Sequence, residues 1–235
     1  MGKYLWCEDS KSGFQFWKAI LHELYPEITV ETKMNNTGLR KAVSRIKDDG
    51  NQYYIIMDSV VDNPDVLREM RRLLRDVTDK DNAHMIRMHS FEYALLSFEL
   101  LESWVFAEED ALRVERESLL HTRKLFIKLV TAGGSSGELS ELKKAFADFG
   151  KKNTEQLAAR LLYAITRNTG FQTDKSKVGP CFICTCCEWK DRQADDICGL
   201  DENRISGEEK ARLIVNRSVL REAFERAGLK NDNGL

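Results

Sequence analysis

No stretch of this chain approaches the roughly 18 consecutive apolar residues that a membrane-spanning helix needs, so no membrane association is expected. The N terminus enters a strand-like segment without a basic-then-apolar leader, and the expected compartment is the cytoplasm. Net charge is also missing: 36 basic and 38 acidic residues leave −2, which provides no global attraction to a polyanion. Any nucleic acid would have to be met by local basic patches and bridging metal ions. A glycine-rich P-loop is absent as well. There is no internal repeat, and the one low-complexity stretch is the Gly/Ser run at 133–137. What remains is a globular composition, 42% apolar and 31% charged over 235 residues. That length suits one large domain or one domain plus a smaller module.

The apolar run 53–57 ends in Asp58, and Asp62 and Asn63-Pro64 follow. It reads as a buried strand with acids at its carboxyl end, passing at once into a helix. Asn63 would cap that helix and Pro64 would take its first position. Segment 3–10 has the same design: an apolar strand over 3–7, then Glu8 and Asp9. A helix over 13–24 carries Phe14, Trp17, Ile20, Leu21 and Leu24 on one face, and Pro26 stops it. Residues 27–33 alternate as a strand near a sheet edge does. Asn35, Asn36 and Thr37 offer an N-cap for a second helix, 84–88 is short and strand-like, and His89-Ser90 suits a further cap.

The resulting order, βαβαβαβ, implies a parallel sheet with right-handed crossovers. From 91 onward the pattern is helical, with helices expected over 91–106, 108–130, 139–149, 154–167 and 208–227. The expected architecture is an α/β domain over 1–106, built on a parallel, Rossmann-like four-stranded sheet flanked by helices. A helical region follows over 107–235, with a Cys-rich segment at 178–200.

Side by side in such a sheet, the first and third strands bring Glu8, Asp58 and Asp62 to one edge. Glu92 stands at the fourth strand–helix junction. In open α/β sheets, ligands sit at the carboxyl ends of the strands. Any one of these acids alone would suit a helix N-terminus. Acids at three successive strand ends point instead to a site. Oxygen ligands of this kind suit Mg²⁺ or Mn²⁺, and a pair of such ions can clamp both oxygens of a phosphodiester displacement. Asp58 directly ends an apolar run, where a carboxylate is costly to desolvate unless paired or metal-bound.

Glu after the first strand, an acidic pair after a later one and Phe91-Glu92 opening a Leu-rich helix together resemble a TOPRIM domain. The closest flavour is that of the OLD-family and RloB-like nucleases of bacterial anti-phage defence. The resemblance covers roughly the first 100 residues. It implies a Mg²⁺-dependent nuclease core in which Glu8, Asp58 and Asp62 hold metal and Glu92 assists. It also implies nucleic acid as substrate, a partner ATPase, and room for homo-oligomers. Two departures stand out: the usual Asp-x-Asp is here spread over Asp58-Ser-Val-Val-Asp62, and Asp9 replaces the glycine common after the family glutamate. Glu8-Asp9 and Asp58 are also similar to a response-regulator receiver domain, with Asp58 as phosphoacceptor. That family needs a fifth strand ending in Lys-Pro, which the sequence lacks. The non-enzymatic alternative is a degenerate TOPRIM-like or receiver-like binding module.

Six cysteines are present, and five lie between Cys181 and Cys198. Clustered cysteines in a chain without an export pattern suggest metal rather than disulfides. Cys181-x-x-Cys184 gives two thiolates on one knuckle. Cys187 and Cys198 would complete a tetrahedral, structural Zn²⁺ site, with Cys186 as a substitute. The alternative is a loop in which the cysteines are small buried hydrophobes.

Overall fold

The computed structural model describes residues 1–60, 62–108, 111–132, 136–146, 153–184, 198–200 and 205–229. The N-terminal half alternates as expected: β1 (Lys3–Cys7), α1 (Ser12–Leu24), β2 (Ile28–Thr32), α2 (Asn36–Ser44), β3 (Gln52–Asp58), α3 (Pro64–Thr78) and β4 (Ala83–Met88). The strands form a sheet of order β2-β1-β3-β4, four-stranded among the described residues, and every pairing is parallel. The chain therefore leaves β1 to one side for β2 and to the other for β3 and β4. The crevice at such a reversal is where open α/β sheets bind ligands.

Both faces of the sheet are covered, which is why β3 is apolar at every interior position rather than alternating. Tyr53, Ile55 and Met57 pack with Leu39 and Val43 of α2 and with Met70, Leu73 and Val77 of α3. On the other face Leu5, Cys7, Tyr54, Ile56, Ile86 and Met88 join a larger apolar cluster with α1 and the C-terminal helices. That cluster runs from Leu5 and Phe16 through Phe98 and Leu161 to Phe182 and Phe224, so both halves of the chain share one core.

Local chemistry sets the helix starts. Asn35 Oδ1 accepts from the amide of Gly38, Asn63 Oδ1 from those of Asp65 and Val66, and Ser90 Oγ from that of Tyr93. The helix ends depart from expectation. The single helix expected over 91–106 is two, α4 (Phe91–Ser97) and α5 (Leu101–Val105). The buried Arg123 guanidinium donates to the carbonyls of Leu96 and Phe98 at 2.7 and 2.8 Å and ends α4 from outside. The helix expected over 108–130 is likewise divided, into α6 (Ala111–Glu115) and α7 (Glu117–Ala132). Arg116, between them, turns inward and donates to the carbonyls of Ile165 and Arg167, both at 2.6 Å. Those carbonyls close α9 (Thr154–Thr166), which follows α8 (Ser136–Ala145).

The last helix is also two, α10 (Gly207–Asn216) and α11 (Leu220–Arg226). The breaks before α5 and before α11 face each other. Glu99 N–H donates to Arg217 O at 2.9 Å, and Val219 N–H to Ser97 Oγ at 3.2 Å. Each interruption thus supplies the backbone partners the other needs. Gly228, at φ 79°, ends α11 in the left-handed region that favours glycine. Among the described residues no helix is long and apolar enough to cross a membrane.

Candidate active site

The sheet reversal places β1 beside β3, with Cys7 level with Ile56. Just beyond that level Glu8 Oε1 accepts the backbone N–H of Asp58 at 2.9 Å, which ties the two strand ends together. Asp58 pairs with Met88 at the end of β4, and α4 starts three residues further on, carrying Glu92 in its first turn. The strands thus deliver Glu8, Asp58 and Glu92 to one place. Two more acids join them. Asp9 follows Glu8, and Glu155 enters from the first turn of α9. Glu8, Asp9, Asp58 and Glu155 line a cavity of about 230 Å³ together with Ser10, Met34, Asn36 and Val66.

The electrostatics of this cavity are one-signed. Burial pushes the Glu8 carboxyl up to about 7, and Asp9 and Glu155 add to the shift. Burial and Glu155 raise Asp9 to about 6. Glu92 is raised to about 8, by burial first and then by Asp9 and Glu155. Asp58 is held well above the usual carboxylate range by burial and by the charges of Asp9, Glu8, Glu92 and Glu155. Glu155 is raised by burial and by Asp62, and Lys175 alone pulls it the other way. The same field and burial push the Cys7 thiol up to about 12, which keeps it an inert core residue.

Asp62 is placed differently. Its carboxylate accepts the backbone N–H of Thr154 at 2.9 Å and the Thr154 hydroxyl at 2.8 Å, supplementing Asn153, the N-cap of α9, whose side chain accepts the Gln156 N–H. His89 Nε2 lies 2.8 Å from the same hydroxyl. Burial lowers the His89 pKa to about 4, so the ring is neutral. Asp62 is therefore near the cluster and bound to the helix that brings Glu155, while Glu8, Asp58 and Glu92 form the cluster itself.

The donors are all oxygens, which suits a hard divalent cation. Oδ1 of Asn36, in the cavity wall, is shielded from solvent and has no hydrogen-bond partner among the described residues. A buried acceptor without a donor is costly, and a cation would relieve it. Among the described residues, no three His, Cys, Asp or Glu side chains are yet gathered closely enough to hold an ion. The residues fit such a cation in kind and charge.

Glu155 and Asn36 are the residues that sequence reading missed. Both sit in first helical turns, where an acid or an amide normally serves the helix itself. No local signal reports that α9 is carried across to the sheet.

Of the four cysteines expected to hold zinc, Cys187 lies outside the described residues. Cys181 and Cys184 occupy a 3-10 turn, Pro180–Phe182, and the residues after it. Lys210, fully buried in α10, donates to the carbonyls of Cys181 and Cys184 at 2.9 and 2.6 Å and pins that turn to the core. Cys198 is buried, and its sulfur accepts the N–H of Leu200 at 3.3 Å.

Compared with known proteins, the chain matches no family model, no curated protein and no solved structure.

Proposed function

We propose that this protein is a nuclease that hydrolyses phosphodiester bonds with Mg²⁺ or Mn²⁺ at the carboxyl ends of β1 and β3. One observation carries the reading: at the reversal of a parallel sheet Asp58 is raised by the charges of Asp9, Glu8, Glu92 and Glu155, and the Asn36 amide oxygen beside it has no hydrogen-bond partner among the described residues. Were a cation bound there, it would supply an activated water and offset charge on the phosphate. Glu8, Asp58 and Asp9 would hold it, with Asn36 and Glu155 on the flanks. Asp62 is left out of this set because its carboxylate is engaged at the N-terminus of α9. Glu8 also fixes the end of β3 through the Asp58 amide. Glu92, raised to about 8, retains a proton near neutral pH and can pass it to a departing oxygen.

The test is cleavage of plasmid, single-stranded DNA and RNA in Mg²⁺ or Mn²⁺ against EDTA. Glu8→Gln and Asp58→Asn should each cut at least about 100-fold more slowly than wild type. Wild-type rates from both variants would overturn the reading. A role in bacterial defence and a partner ATPase rest on the TOPRIM resemblance alone, and phage challenge of cells expressing wild type or Asp58→Asn tests the former. A structural zinc on the cysteine segment is checked by metal analysis, with about one equivalent expected.

A second reading keeps the fold without the chemistry: a degenerate TOPRIM-like or receiver-like binding module. It is favoured by the engagement of Asp62 and by side chains that do not close on one point. Under it, no cleavage occurs with either cation. Acetyl phosphate labelling of wild type but not Asp58→Asn would identify the receiver form.

A further inference from the structure

A groove of about 490 Å³ lies between α9 and residues 173–176. Gln156, Ala159, Arg160 and Tyr163 line it, and this i, i+3, i+4, i+7 spacing is one face of the helix. The opposite face of α9, with Leu157, Leu161 and Ile165, is buried in the core. Glu92 lines the groove too, and its charge is among those that raise Asp58, so one wall of the groove belongs to the carboxylate cluster. The facing wall is held in place. Ser12 Oγ donates to Lys175 O at 3.2 Å, and Gln15 Nε2 to Ser176 O at 3.3 Å. Asp174 also lines the groove, and its carboxylate accepts the amides of Ser176 and Lys177 at 2.7 and 3.1 Å, which hold it ionised and fix the loop.

Two features identify an occupant. Tyr163 is 43% exposed, an aromatic face offered to the groove by a helix whose other large apolar side chains are covered. Lys175 and Arg160 line the same groove, and Lys175 is near enough to Glu155 to pull its carboxyl back down. An aromatic platform flanked by cations matches an unpaired base and its phosphate, and such stacking is indifferent to sequence. The volume falls within the range of sites for one small molecule, too small for stacked base pairs.

We propose that this groove seats one unstacked nucleotide of a single-stranded nucleic acid. Its base lies on Tyr163 and its phosphate at Lys175, which leads the strand to the carboxylates. This rests on the acidic cavity being the cleavage centre, and it names the substrate as single-stranded.

The test is binding of a fluorescently end-labelled 12-nucleotide DNA or RNA strand to the full chain in EDTA at low salt, where no cleavage takes place. The expected result is saturable binding, at least about tenfold weaker for the corresponding duplex. Tyr163→Ala should weaken it about tenfold and Tyr163→Phe should leave it near wild type. Lys175→Gln should lower the slope of log affinity against log salt by about 0.7, the loss of one phosphate contact on a single strand. No binding, equal binding of the duplex, or wild-type affinity in Tyr163→Ala overturns the proposal. Metal-dependent cleavage combined with an unaffected Tyr163→Ala sinks the groove alone. Groove binding without cleavage in either cation sinks the nuclease reading alone.

Discussion

Asp58 pairs with Met88, the residue before His89, and Asp58 and His89 titrate in opposite senses on folding. Glu8, Asp9, Asp58 and Glu92 are raised above their ordinary values, to about 7, 6 and 8 where a figure applies. The folded state therefore binds more protons than the unfolded chain between about pH 4 and 8, and stability contributed by these groups is lost as pH rises through that window. His89 is lowered from 6.5 to about 4, so its contribution is present above 6.5 and is lost as pH falls toward 4. That contribution is on the order of 3 kcal/mol for a shift of this size. Above pH 6.5 the carboxyls act alone. In EDTA, the melting temperature should drop between pH 6.5 and 8.5. Asp58→Asn should flatten the drop, and millimolar Mg²⁺ should reverse it in wild type only. Scanning fluorimetry across that range checks the sign, and a melting temperature that rises with pH in EDTA would contradict it.

At the level of elements, Asp62 supplements the N-cap of α9. Asp62→Ala should lower stability by about 1–2 kcal/mol, the usual cost of an N-terminal cap, and chemical denaturation measures it. Because the carboxylate is engaged with Thr154, the same variant should keep Mn²⁺ affinity within a few-fold of wild type, whereas Asp58→Asn should not. The starts of elements were legible from sequence because their causes are local: Asn63-Pro64, Asn35 and Ser90 act within three residues. The ends were not. The breaks at 98–100 and 217–219 are made by Arg123 and by each other, over separations the sequence does not reveal. The site divides in the same way. Glu8, Asp58 and Glu92 follow from strand order, while Glu155 and Asn36 depend on how helices pack.

At the scale of the whole molecule, the apolar face of β1, β3 and β4 shares its cluster with α1, and the second half of the chain closes it through α11 on β4 and α10 on α1. A fragment of residues 1–106 would lose α11 from β4 and α10 from α1, at roughly 1.5–3 kcal/mol for each large side chain so exposed. It should show no cooperative thermal transition by circular dichroism, and a sharp one would mean that the sheet folds alone. The acidic cavity would also be incomplete in that fragment, since Glu155 arrives on α9. That helix is the common wall of both cavities, Glu155 at its tip and Tyr163 two turns along. Under the proposed nuclease reading, any change that reshapes this wall to seat a different strand also shifts Glu155, so selectivity and turnover would drift together.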